Sequence, residues 1–344
     1  MTRISIAMAT YNGARFLDEQ LRSLVGQRLR PFELVVADDG STDDTLAQIR
    51  AFAAHAPFPV VIIEGQGRLG YRLNFRRAAQ HCSGDIIAFC DQDDIWREDK
   101  LEVMAKCFDD PKVLLAYHNA IVFDDDTTRP LHRAAEEHRS LAERPLPMFK
   151  GVNGLIQLFR ADLRKYDHLW DQSVDHFWGW EILAHDQWYF FVALLLGKVE
   201  FVDQPLLGYR QHGSNTYGVR SSETWLHRLS QRFAHFAEQD TSQATAADSR
   251  AAIVEAIAEL DNRHDLHEVA GVYRTFADRL RRRAATYSLP GVLQRAGCAA
   301  RSLRAGDYRG GRWGFEKASI IRDLWSGVIR HKKIDPTGPS FSNG

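Results

Sequence analysis

"IIAFCDQDDIW", residues 86–96, is a run of five uncharged, largely apolar residues that breaks abruptly into Asp91, Asp93 and Asp94, with Trp96 two positions on. A short stretch apolar on both faces reads as a strand buried on two sides, and the carboxylates mark where it leaves the core. Upstream, "ISIAMAT" (4–10), "FELVVADDG" (32–40) and "VVIIEG" (60–65) read the same way. Between them lie helical spacings: Phe16, Leu17, Leu21, Leu24 and Val25; then a capping-box-like Ser41 and Asp44 leading through Leu46, Ile49 and Phe52; then 71–81. Strands alternating with helices predict an α/β fold whose sheet is mixed, mostly parallel and flanked by helices.

In such sheets ligands sit beyond the carboxyl ends of the strands. Three of those ends carry Thr10-Tyr11-Asn12, Asp38-Asp39-Gly40 and Asp91-Gln92-Asp93-Asp94. A lone Asp there usually caps the next helix, but three coincident ends point to a site. Carboxylates this dense repel one another unless a cation joins them, and Mg²⁺ or Mn²⁺ needs only a few, completing its shell with water and phosphate oxygens. Neither a G-x-x-x-x-G-K-[ST] loop nor a G-x-G-x-x-G turn follows the first strand, so a diphosphate would be held through metal. Carboxylates after the second strand can accept a base N–H, as uracil, thymine or guanine offers, and the Tyr11 ring can stack on a base.

Composition sets the bounds. The 344 residues carry 44 Lys+Arg against 45 Asp+Glu, a net charge of -1 that excludes a globally basic nucleic-acid binder and a highly charged disordered chain. The 4 cysteines form no C-x-x-C pair and read as structural thiols in a reducing compartment. The N-terminus lacks a signal-peptide pattern, and the most apolar run, "WYFFVALLLG" (188–197), falls short of a membrane span. The expectation is a cytoplasmic protein, with peripheral contact on the inner face of the plasma membrane as its one membrane association.

The blocks "ISIAMATYNGARFLDEQLRSLVGQ", "FELVVADDGSTDDT" and "GDIIAFCDQDDIWREDKLE", followed by "HDQWYFFVALLLGKVEFVDQPLLGYRQHGSN" (185–215), together resemble the inverting family 2 glycosyltransferases of GT-A fold, and within them bacterial rhamnosyltransferase-type members. The resemblance covers residues 1 to about 216. It implies that Thr10, Tyr11 and Asn12 line a nucleotide pocket, that Asp39 holds the base, and that Asp91 faces the ribose. Asp93 would face metal and diphosphate, with His212 beside them and Arg210 on phosphate; Asp94 matches an acidic position of the same motif. Asp186 takes the place of the general base that deprotonates the acceptor hydroxyl. The implied cofactor is Mg²⁺ or Mn²⁺, the donor a dTDP- or UDP-sugar with dTDP-L-rhamnose favoured, and the acceptor a glycan, free or polyprenyl-linked. A nucleotidyltransferase would need a glycine-rich basic loop where "TYNGAR" stands; a sugar-nucleotide-binding partner without turnover is the other alternative.

Around Asp186 the reading is coarser. A helix is expected from His185, with Glu181 one turn earlier if it extends back; without H-E-x-x-H that pair is a weak metal candidate. His185 and Trp188 are expected on the acceptor side, and Trp180, with Trp178, as a sugar-stacking wall or as plain packing. "GVNGLIQLFR" (151–160) reads as a strand, 124–147 as a flap or surface insertion, and "VEFV" as a strand before a Gln-Pro turn. The boundary is expected at 217/218, dividing a GT-A domain, 1–217, from a helical region, 218–344. Its segment 281–333 holds thirteen Lys/Arg against three carboxylates, interleaved with aromatics and aliphatics. That pattern fits docking on an anionic membrane or an ordinary bundle with a basic face; no nucleic-acid reader motif is present.

Overall fold

The computed structural model describes residues 2–65, 67–124, 127–131, 149, 151–176, 179, 181–213, 236–308, 320, 323, 324 and 328. The chain divides into two compact units, one of 1–144, 150–168 and 183–219, the other of 145–149, 169–182 and 220–344. Trp178 and Trp180, most of 124–147 and most of 309–333 lie outside the described residues.

The first unit begins with β1 (Ile4–Thr10), α1 (Ala14–Val25), β2 (Glu33–Asp38), α2 (Thr45–Ala53), β3 (Val60–Glu64), α3 (Tyr71–His81), β4 (Ile86–Cys90), β5 (Ile95–Trp96) and α4 (Lys100–Ala105). It continues through β6 (Val113–Phe123), β7 (Thr128–Pro130), β8 (Gln157–Arg160), a single turn α5 (Asp167–Trp170), α6 (His185–Leu196) and β9 (Lys198–Arg210). These strands form one mixed sheet in the order β3-β2-β1-β4-β8-β6-β9-β5, with β7 on β6. The half β3-β2-β1-β4 is parallel, and every residue of β2 and β4 is buried, as the apolar runs 34–37 and 86–90 demand.

Register then gathers the strand ends. Thr10 lies beside Asp38, and Met8 beside Cys90. β5, immediately after the acidic cluster, pairs antiparallel with β9, Ile95 against Gly208 and Trp96 against Leu207. That short pairing carries residues 91–94 to the segment that follows β9.

Three local expectations change. Residues 154–156 form a 3₁₀ turn and the strand starts only at Gln157. The anticipated Gln-Pro turn is absent: β9 runs straight through Pro205, whose missing N–H is accommodated where the register of partner β6 shifts between His118 and Ile121. α2 has no side-chain cap from Asp44, and Ser41 is drawn instead to Asp38.

The second unit is helical: α7 (Phe236–Leu260), α8 (Leu266–Ser288) and α9 (Val292–Ala305). Along α8 the buried Leu266, Ala270, Tyr273, Ala277, Leu280, Ala284 and Tyr287 recur at alternating steps of four and three, the seam of a helix that packs along its length. Arg283 is buried there with its guanidinium 2.9 Å from Asp323, which also accepts the Tyr287 hydroxyl at 2.8 Å. Among the described residues no helix is long and apolar enough to cross a membrane.

Candidate active site

The first turn of the site is built by Asp38, which the sequence offers only as one of a pair with Asp39. Asp38, fully buried at the end of β2, accepts the Thr10 hydroxyl at 2.8 Å, the backbone N–H groups of Gly40 and Ser41 at 3.1 and 2.8 Å, and the Ser41 hydroxyl at 2.6 Å. Asp39 is also buried; its two oxygens accept the N–H groups of Leu69 and Gly70 at 2.7 and 2.8 Å, tying β2 to the loop before α3. Asn12 takes a positive φ of 47° and its side-chain oxygen accepts the Thr42 N–H at 2.8 Å, so it staples the β1 and β2 turns together. Tyr11 presents a partly exposed ring over which Arg68 sits, 4.5 Å from the centroid.

Gln92 joins this turn to the acidic one, accepting the Tyr11 N–H at 2.9 Å and donating to the Tyr11 carbonyl at 3.2 Å. A Cβ on Gly13 would stand 2.1 Å from the same amide oxygen, so only glycine allows the approach. Beyond Gln92, Asp93 lies 2.8 Å from His212 Nε2, although 119 residues separate them. The His212 ring stacks on Phe16 at 4.6 Å, and the Arg210 guanidinium also packs over Phe16, at 4.9 Å. Arg210 donates to the Asp93 carbonyl at 3.1 Å and to Glu19, while its backbone N–H meets Asp94 at 3.2 Å. Asp94 is fully buried, and among the described residues its second oxygen has no hydrogen-bond partner.

Asp186 sits in the first turn of α6, with Oδ2 accepting the Gly154 N–H at 3.1 Å and Oδ1 the Gln187 N–H at 2.8 Å. Burial pushes its carboxyl up to about 6 against the opposing pull of those N–H groups and of Arg72. Its neighbours do not face an acceptor as expected. His185 is buried, stacked on Phe75 at 4.0 Å and edge-on to Phe89 at 4.6 Å, and burial, reinforced by Arg72, draws it down to about 3, so it is neutral. Trp188 is fully buried and donates to Asp167 at 3.3 Å. Both pack inward from α6, whose Asp186 and Gln187 are left half-buried. Glu181 lies before the helix start and is exposed, so the helix does not extend back to set it one turn from His185.

Burial, then Asp93 and Asp186, push Asp91 up to about 7; burial, then Asp91 and Asp93, push Asp94 well above the carboxylate range. The influence of Asp186 on Asp91 brings a helix start and a strand end, far apart in sequence, into one electrostatic environment. Residues 5–171 match the model of glycosyl transferase family 2. A dTDP-rhamnosyl transferase of Shigella flexneri, RfbG, is 36% identical over 225 residues, covering 62% of this chain and 75% of that one. The chain belongs to glycosyltransferase family 2. An uncharacterized glycosyltransferase of Nostoc sp. is 26% identical, covering 64% of this chain and 69% of its own length. Residues 1–349 of TarS from S. aureus, crystallised with UDP-GlcNAc, share the fold with a TM-score of 0.52 at 14% identity, over 96% of this chain and 89% of that one.

For this family 2 glycosyltransferase, the donor set available to a divalent ion is small. Among the described residues no group of three His, Cys, Asp or Glu side chains is gathered for one. Asp93 and His212 form a two-donor pair beside the carboxylates of Asp91 and Asp94, which fits an ion drawing its other ligands from phosphate and water. Lys100, unforeseen in the sequence, is a buried basic group beside those carboxylates: its Nζ donates to the Leu155 carbonyl at 3.1 Å and lies 3.6 Å from the Trp96 ring centroid. Burial pulls it down to about 7, opposed by Cys90, Asp94 and Asp91. The only signal for Lys100 was its place four residues after Trp96, in a pattern that reads equally as a solvated helix start.

Proposed function

We infer that this glycosyltransferase moves a sugar from a nucleoside-diphosphate donor to a hydroxyl of a bacterial cell-surface glycan, with inversion at the anomeric carbon. The 36% identity to a dTDP-rhamnosyl transferase favours dTDP-L-rhamnose over a UDP-sugar as the donor. The observation that carries the reading is Asp186 held by two backbone N–H groups within electrostatic reach of Asp91, base and donor cluster in one unit.

Tyr11 would stack the base, Asp39 would accept its N–H beside the loop N–H groups it already binds, and Asp91 would receive the ribose hydroxyls. Asp93 and His212 would hold the divalent ion, which when bound neutralises the diphosphate and stabilises it as a leaving group. Arg210 reaches the phosphates by exchanging Glu19 for them, a swap that its fork geometry suits. Asp186, titrating at about 6, is charged at neutral pH and takes the acceptor proton as the new C–O bond forms and the bond to the diphosphate oxygen breaks. No covalent enzyme intermediate is required. A polyprenyl-linked glycan is the acceptor form that a peripheral membrane enzyme would meet.

The test is Asp186→Asn, assayed with dTDP-L-rhamnose and UDP-sugars in Mg²⁺ or Mn²⁺. Transfer falls by about 10²–10⁴-fold while nucleotide still raises the melting temperature. Retained transfer removes Asp186 from the base role, and the absence of a thermal shift with every nucleotide removes the donor site.

A further inference from the structure

Helix α9 buries Cys298 and Ala299 together with two polar residues and leaves its largest apolar side chains outside. Its sequence, "VLQRAGCAARSLRA", buries Arg295 and Ser302, which are 2% and 1% exposed, and turns Leu293, Val292 and Leu303 to solvent at 88%, 58% and 41%. The buried arginine is used: its guanidinium donates to the carbonyls of Leu289, Pro290 and Val328 at 3.2, 2.8 and 3.1 Å. At 100° per residue Leu293, Gly297, Ala300 and Arg304 fall along the middle of the outer face, with Val292, Ala296 and Leu303 on one flank and Arg301 on the other. A surface helix of a globular unit ordinarily keeps leucine and valine on its inner face, not its outer one.

We propose that this outer face of α9 docks on an anionic phospholipid bilayer. Charge selects the occupant. The outer face carries Arg301 and Arg304, and the helix has no carboxylate. A second copy of the same face would set Arg301 and Arg304 against their own equivalents with no acid to pair them. On a bilayer the guanidinium groups lie among head-group phosphates while Leu293, Val292 and Leu303 enter the acyl boundary, the division of labour of an interfacial helix. The small Ala296, Gly297 and Ala300 between them let the helix lie close to the surface.

The experiment is co-sedimentation of the full chain with vesicles of phosphatidylglycerol and phosphatidylcholine, against pure phosphatidylcholine, in low and high salt. It uses neither donor nor acceptor, so its outcome is independent of the transfer reaction. Binding is expected to the anionic vesicles, weakened by salt, and reduced by roughly tenfold or more in Leu293→Asp and in Arg301→Glu/Arg304→Glu. Leu260→Asp, at an apolar position of α7 that is 57% exposed, leaves it unchanged. Substituting side chains this exposed preserves the fold, which circular dichroism verifies. Absence of binding to anionic vesicles, or binding indifferent to Leu293→Asp, overturns the proposal. So does a concentration-dependent dimer that Leu293→Asp abolishes, which would assign the face to a second copy.

Discussion

Replacing Gly154 with alanine would place a methyl group 2.4 Å from His185 Nε2 and 3.4 Å from Asp186 Cβ. A ring edge can usually yield, but His185 is packed face-on against Phe75 at 4.0 Å and edge-on against Phe89 at 4.6 Å, so the Gly154 backbone has to move instead. Overpacking of this kind costs about 1–3 kcal/mol, or roughly 2–10 °C in melting temperature for a unit of this size. The same movement stretches the 3.1 Å bond from the Gly154 N–H to Asp186, one of the two donors that favour the charged base. Losing a hydrogen bond to a charged group, worth about 1.5 kcal/mol, raises the Asp186 carboxyl from about 6 by about one further unit. The acid limb of the transfer rate, which falls as pH drops through that value, therefore moves toward neutrality. Thermal denaturation and a pH–rate profile read the two effects separately. A Gly154→Ala protein with wild-type melting temperature and an unmoved acid limb would refute the reasoning, because the contact would then have been relieved at no cost to the base.

Other consequences follow from the same geometry. Because Asp186 titrates at about 6 when folded rather than at its ordinary 3.8, the stability linked to its proton is present below 3.8 and lost as pH rises through 6. Asp186→Asn is therefore expected to stabilise the chain by about 1–3 kcal/mol at pH 8 and not at pH 4, read by urea titration at both; equal effects at the two pH values would contradict the raised carboxyl. Asp38→Ala strands the donors of Thr10, Gly40 and Ser41 and should cost about 2–4 kcal/mol, with weaker nucleotide binding by calorimetry because the β1 and β2 turns loosen. His212→Ala should remove most of the Mg²⁺ or Mn²⁺ dependence of nucleotide binding; a full metal response in the variant would take His212 out of the metal pair. Gly271→Ala on α8, where an added Cβ meets nothing within 4 Å, should raise stability by about 0.5–1 kcal/mol in the same titration.

Much of this molecule was legible in short windows. The strands β1, β2, β3 and β4 and the helix α3 follow from apolar runs and helical spacing, because backbone pairing and amphipathicity are written within a few residues. The acidic break after Cys90 and the carboxylate in the first turn of α6 are local too, and so were found. Direction was not local. Asp38 and Asp39 are indistinguishable as a pair in sequence, yet one builds the turn and the other ties down the loop before α3, because the parallel register sets Asp38 beside Thr10. His185 and Trp188 flank the predicted base but face the core, since α6 is apolar nearly all round and the surrounding rings decide which positions are closed. β9 passes through Pro205 because a neighbouring strand absorbs the register shift, which no reading of β9 by itself could anticipate. His212 meets Asp93 only because the two-residue strand β5 zips onto the end of β9. The sequence by itself determined the elements and the chemical groups at their ends. Tertiary packing decided which of those groups face one another, because burial and pairing are properties of the surroundings and not of the segment.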